Sequence, residues 1–242
     1  MDSKSKGLCL AIGSIAAIVG YMIWQFAVVG VDTKYDDVVA NLNAAADGSG
    51  SMPILVILIG VGLIINAAGL NGIRGLVGGS AETIGIFCVT AAIIMFVVSL
   101  GGVVAMGEVG NKFVAANAAV AASAGAGDAA GAAAYAAQAG AIAAAGGFTL
   151  AANTAIGQLG GLLFSLGFFC IGLAYKESKF TGALSFIPMG WLAIVAGTVG
   201  LVSTIIIGNI NVDTSSQVTG IAFLLSVIWT VLVAVKLIRS EE

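Results

Sequence analysis

Histidine is missing from all 242 residues, and only 9% of the chain is charged. Without an imidazole there is no commonest general base, no commonest zinc ligand and no usual haem ligand. The three cysteines, Cys9, Cys88 and Cys170, are far apart and form no CxxC pair. Each lies in an apolar stretch, so they read as small buried hydrophobes rather than as redox or metal ligands. The scarcity excludes a disulfide-stapled module and a zinc or iron–sulfur centre, and no cofactor is expected. Nine basic residues against twelve acidic give a net charge of −3, which argues against a nucleic-acid partner.

What the chain does have is apolar surface. Hydrophobic residues make up 60% of it, and the mean hydropathy is +1.11. So little polar surface cannot cover a water-soluble globule of this size. The expected class is an all-α polytopic membrane helix bundle. A spanning helix needs about 20 mostly apolar residues, because each rises ~1.5 Å through a hydrocarbon layer ~30 Å thick. Six runs qualify: residues 7–30, 53–70, 83–106, 158–175, 183–208 and 218–238. The first follows Lys4 and Lys6 but is longer than the ~7–15-residue core of a signal peptide, so it is expected to stay as an anchor helix.

Charge placement gives an orientation. With the N-terminus inside, the inner segments carry Lys4, Lys6, Arg74, Lys176, Lys179, Lys236 and Arg239, whereas the outer ones carry only Lys34 and Lys112. That bias predicts a chain integral to the cytoplasmic membrane with both termini cytoplasmic. All 21 charged residues fall in loops, at helix ends or in tails. Pumps, voltage sensors and ion-coupled carriers need a titratable or mobile charge within the membrane, and none is expected here.

Two outer segments stand apart. Residues 107–157 form an insertion between the third and fourth spans; from Ala115 to Ala145, 20 of 31 residues are alanine. Alanine is the best helix former, so the expected structure is an outer helical hairpin. Its third-span helix runs on to about Ala124, Gly125 to Gly127 turn, Asp128 caps the returning helix, and Gly146–Gly147 break it before the fourth span. Within a single membrane domain covering 1–242, this hairpin is either a packing surface or a spacer. The first outer loop, 31–52, carries Asp32, Asp36 and Asp37 without the spacing of a calcium loop. It reads as a solvated segment, helical over Val38 to Ala46, that leaves through Asp47 to Gly50.

Within the spans, small residues recur four apart. Gly157 and Gly161 open the fourth helix, Gly13 and Ala17 lie in the first, and Ala193 with Gly197 and Ala196 with Gly200 lie in the fifth. Such pairs let helices approach closely. The polar residues at depth are amides and hydroxyls, with Asn66, Thr90, Ser99, Thr198 and Ser203 as candidates for lining a small polar cavity. Asn66 is the most expensive to bury and is expected to bond across helices. Tyr21, Trp24, Tyr175, Trp191 and Trp229 read as interfacial anchors.

From Gly160 to Val202 the chain reads GGLLFSLGFFCIGLAYKESKFTGALSFIPMGWLAIVAGTVGLV. Through Leu166, Gly167, Gly172, Lys176, Pro188, Trp191, Leu192, Ala196 and Gly197, this stretch resembles an uncharacterised bacterial and archaeal family of membrane proteins with six to seven helices. The acidic first outer loop is similar as well. The resemblance implies an architecture and supplies no catalytic or binding residue.

These readings lead to a non-enzymatic structural or accessory membrane protein. Its contacts would be membrane lipids, and its partners copies of itself as a homo-oligomer or a larger membrane complex, met through small-residue helix faces. The alternative is a channel or carrier for a small neutral or weakly polar solute, selecting by pore width and hydrogen bonding. A membrane enzyme would need interfacial carboxylates such as Asp36 and Glu108 to meet, and nothing in the sequence brings them together.

Overall fold

The computed structural model describes residues 2–30, 34 and 36–240. Among them are seven α-helices and no strand: α1 (Ser3–Trp24), α2 (Val38–Gly48), α3 (Met52–Gly72), α4 (Ser80–Gly125), α5 (Ala129–Lys176), α6 (Met189–Ile205) and α7 (Val212–Arg239). A π-helical turn, Gln25–Val29, extends α1 and ends at Gly30, whose φ of 81° favours glycine. Six helical stretches are long and apolar enough to cross a membrane: Ser3–Val29, Met52–Gly72, Ser80–Gly125, Ala129–Lys176, Met189–Asn209 and Gln217–Arg239.

The boundaries depart from the sequence reading in two places. α6 begins at Met189 rather than near Ala183, because Pro188 is extended and serves as its N-cap. α5 passes through Gly146–Gly147 without a break. The glycines are notches there: a side chain on Gly146 would run into Leu42 at 2.8 Å, and one on Gly147 would meet Val38 at 3.5 Å. Packing against α2 overrides the weak helix propensity of glycine. The turn between α4 and α5 follows the expectation, with Gly127 at φ 76° and Asp128 accepting from the Gly131 N–H at 2.9 Å.

The chain divides into two compact units. The first comprises residues 1–19, 58–97 and 156–242. Its core joins Leu10, Leu70, Ile86, Val89, Phe168, Ile171, Trp229 and Val233. Glycines set its helix crossings. Gly13 of α1 abuts the α3 backbone at Gly62 and Asn66, and Gly62 abuts Ala17 in return. Gly85 of α4 and Gly167 of α5 abut each other, each with a would-be Cβ 2.7 Å from the other's carbonyl oxygen. Beside them runs an aromatic chain, with Phe164 4.8 Å from Phe168, Phe168 5.6 Å from Trp229, and Trp229 5.2 Å from Tyr175 between ring centres. Trp229 and Tyr175 are therefore core residues rather than interfacial anchors. Trp229 is wholly buried and donates to the Met189 carbonyl at 3.1 Å.

The second unit comprises residues 20–57 and 98–155. Its core is Leu42, Ala45, Met52, Met106, Phe113, Ala116 and Ala139. The first outer loop is thus more than a solvated strap. Asp37 caps α2 by accepting from the Ala40 N–H at 2.9 Å. Leu42 is fully buried beside Gly110 of α4 and Gly146 of α5. Asp32 lies outside the described residues, and Asp36 is exposed. Leu42→Ala empties a fully buried site at the centre of this core. It should lower stability by about 2–4 kcal/mol, read as a lower unfolding midpoint of the detergent-solubilised chain.

Candidate functional site

Three of the five polar residues read as cavity-lining candidates, Asn66, Thr90 and Ser203, bond to separate partners. Asn66 of α3 is buried and donates its amide to the Ser14 hydroxyl of α1 at 2.6 Å. This is the cross-helix bond that a buried amide demands. Thr90 of α4 donates to the Ile86 carbonyl at 2.8 Å and accepts from Asn71 of α3 at 3.0 Å. Ser203 of α6 is buried and belongs to a hydroxyl cluster with α7. It donates to the Ser215 carbonyl at 2.7 Å and lies 2.9 Å from the Thr219 hydroxyl. Ser99 is half-buried, and Thr198 is exposed on α6. Ser165, Ser226 and Thr230 donate back to carbonyls one turn earlier in their own helices.

The small residues divide in a way that spacing alone does not reveal. Ala193, Gly197 and Gly200 of α6 are buried. Gly197 abuts the α5 backbone at Ser165 and Phe169, and Gly200 abuts the Ser165 side chain. On α5, a Cβ at Gly157 would meet open space, and one at Gly161 would meet only the Thr204 hydroxyl at 3.7 Å. Beyond Gly146, the close approaches of that helix fall at Gly160, Gly167 and Gly172.

Sequence reasoning missed Glu82. It lies in the first turn of α4, where an acid suits the helix dipole, and a helix end was expected to be wet. The side chain is fully buried. One carboxylate oxygen accepts from the Gly75 N–H at 2.8 Å and the Gly78 N–H at 3.0 Å, and the other from the Val77 N–H at 3.2 Å. The turn curls round the carboxylate because Gly75, Gly78 and Gly79 have φ of 88°, 81° and 93°. It is a nest of amide donors closed on an anion from within. The signal was present as three glycines within the seven residues before an acid. The buried Tyr175 hydroxyl has no hydrogen-bond partner among the described residues. With three amide donors on it, Glu82 is a fastener for the α3–α4 turn.

The described residues also frame a groove of about 410 Å³ in the second unit, between α4 and α5. Ala115, Ala116, Ala119 and Ile142 line it together with Lys112, Tyr135 and Gln138. All three polar side chains are exposed. No cluster of three or more metal-ligating side chains occurs among the described residues. At the start of the chain, hydrogen bonds from the Ser5 hydroxyl and backbone N–H hold the exposed Asp2 carboxyl below the usual carboxylate range.

No family model, no curated protein and no solved structure matches this chain. The resemblance of residues 160–202 to a family with six to seven helices thus draws no support from a family model, and the chain's chemistry is read from its own side chains.

Proposed function

We propose that this chain is a non-enzymatic structural protein of a membrane, built to assemble with copies of itself or with a larger membrane complex. One observation carries the reading. Between Ala116 and Ala139, the described side chains of the α4–α5 hairpin include none that is buried, and 13 of those 22 residues are alanine. Exposed alanine offers a smooth helix face that a second helix can approach closely, and by itself it buries too little apolar area to hold two helices together. α4 and α5 have 46 and 48 residues. At ~1.5 Å per residue each is about 70 Å long, roughly twice the hydrocarbon thickness, so each has length to present outside the bilayer.

The reading as a solute route draws no support from a shared polar lining, because Asn66, Thr90 and Ser203 each close on a different partner. The test is the mass of the chain purified in a mild detergent. We expect a stable assembly larger than one chain. The triple variant Ala118→Glu, Ala122→Glu and Ala137→Glu places charge on exposed positions and should leave helicity unchanged while shifting the mass to one chain. A wild-type chain that runs alone as a monomer, or a triple variant that still assembles, overturns the proposal.

A further inference from the structure

Seven of the nine basic residues belong to one end of the first unit. Gly7 of α1 lies against α7, with a would-be Cβ 2.8 Å from Ile238. Gly72, which closes α3, lies 3.1 Å from the Lys6 side chain in the same sense. Gly190 of α6 abuts Tyr175 and Lys176 of α5, and the Ala183 N–H donates to the Leu232 carbonyl of α7 at 3.1 Å. These contacts gather the start of α1, the end of α3, the end of α5, the start of α6 and the end of α7. Lys4, Lys6, Arg74, Lys176, Lys179, Lys236 and Arg239 therefore share that end, and all but the half-buried Lys6 are exposed. Of the acids in these segments, Glu82 is buried against its own turn, Asp2 accepts from the Ser5 N–H, Glu177 is exposed, and Glu241 and Glu242 lie outside the described residues, so seven basic residues stand against five acids.

Two of the cations rest on rings that point away from the core. Lys176 lies 4.9 Å from the centre of the Trp191 ring, and Arg74 lies 5.0 Å from that of Phe87. Both rings are half-exposed, at 51% and 52%. Each pair sets a positive charge at the edge of apolar helix surface. That is the arrangement suited to the boundary between acyl chain and headgroup, where an indole prefers to lie and a long basic side chain can reach for a phosphate.

We propose that this end of the bundle binds the phosphate headgroups of anionic phospholipids, with Lys176 over Trp191 and the exposed Lys179 three residues on as the principal corner, and Arg74 over Phe87 as a second. The inference rests on the membrane reading above and adds the class of lipid. Anionic headgroups are attracted by each basic residue near the surface, by about fivefold in affinity per charge.

The experiment uses the full chain in a mild neutral detergent and counts adducts by native mass spectrometry with added phosphatidylglycerol, phosphatidylcholine or inorganic phosphate. We expect phosphatidylglycerol to be retained in preference to phosphatidylcholine. The double variant Lys176→Gln and Lys179→Gln should lower its retention about 25-fold, whereas Lys34→Gln should leave it unchanged. Arg74→Gln, at an exposed turn position, repeats the test should the double variant not fold. Equal retention of the two lipids overturns the proposal, as does an unaltered double variant, or a loss on Lys34→Gln as large as that on the double variant. Displacement of phosphatidylglycerol by millimolar inorganic phosphate also overturns it, by making the site one for a soluble anion. Alkaline carbonate extraction separates the two levels. A chain that stays in the membrane pellet yet shows no lipid preference overturns the headgroup site alone, whereas release into the supernatant overturns the membrane reading.

Discussion

Glu82→Ala is expected to destabilise the bundle by about 3–5 kcal/mol, one of the largest losses available from a single side chain in this protein. The substitution removes the acceptor for three N–H groups, those of Gly75, Val77 and Gly78, in a turn that closes over a fully buried position. The carboxylate itself is fully buried, and a buried donor left without its acceptor carries a desolvation penalty. Beyond Glu82 the turn keeps the Leu76 N–H bond to the Ile73 carbonyl at 2.9 Å, but Gly75, Gly78 and Gly79 sit at positive φ and gain freedom once the carboxylate is gone. Glu82→Gln retains one acceptor oxygen and puts an amide donor where an acceptor stood, so its loss should lie between those of alanine and wild type. Unfolding midpoints of the detergent-solubilised variants measure the series. Hydrogen exchange at residues 75–78 locates the effect, since those amides should exchange faster in both variants. An alanine variant within about 1 kcal/mol of wild type, with exchange at those amides unaltered, would refute the fastener role.

The features that could be read along the chain are those set by composition and local chemistry. Six apolar runs gave six long helices because their signal is summed over some twenty residues at a time. The turn at Gly125 to Asp128 was legible because Gly and Asp have local roles, a positive φ and an N-cap, that need no tertiary partner. Tertiary contacts decided the rest. Gly146–Gly147 looked like a helix break until Leu42 and Val38 came to lie against it from a helix about 100 residues earlier. Trp229 and Tyr175 looked like boundary anchors because aromatic identity does not say which face of a helix turns inward. Of the five polar residues read as cavity-lining candidates, Asn66, Thr90 and Ser203 bond to Ser14, Asn71, Ser215 and Thr219, which other helices supply and spacing along the chain does not reveal. Glu82 shows the same limit most sharply. Its position at a helix end was evident, and its burial depended on how the preceding glycines curl.

The second large effect is a contrast within one helix. Gly157 and Gly167 both lie in α5, and only the first belongs to a G-x-x-x-G pair. Gly167→Val should cost about 3 kcal/mol or more, because its new Cβ falls 2.7 Å from the Gly85 carbonyl oxygen and 2.9 Å from the Val89 backbone nitrogen of α4. A contact with backbone cannot be relieved by a rotamer change, so the two helices must separate and strain the core that Val89 and Phe168 share. Gly157→Ala meets open space and replaces the poorest non-proline helix former with the best. It should leave stability unchanged or raise it by up to about 1 kcal/mol. Thermal unfolding of both variants in the same detergent decides the matter. If Gly157→Ala destabilises as much as Gly167→Val, the face around Gly157 is covered in the assembled protein and the motif is an interface between chains. If Gly157→Ala is silent, the Gly157–Gly161 pair reports no packing, unlike the buried pairs of α6, and the assembly surface narrows to the alanine hairpin.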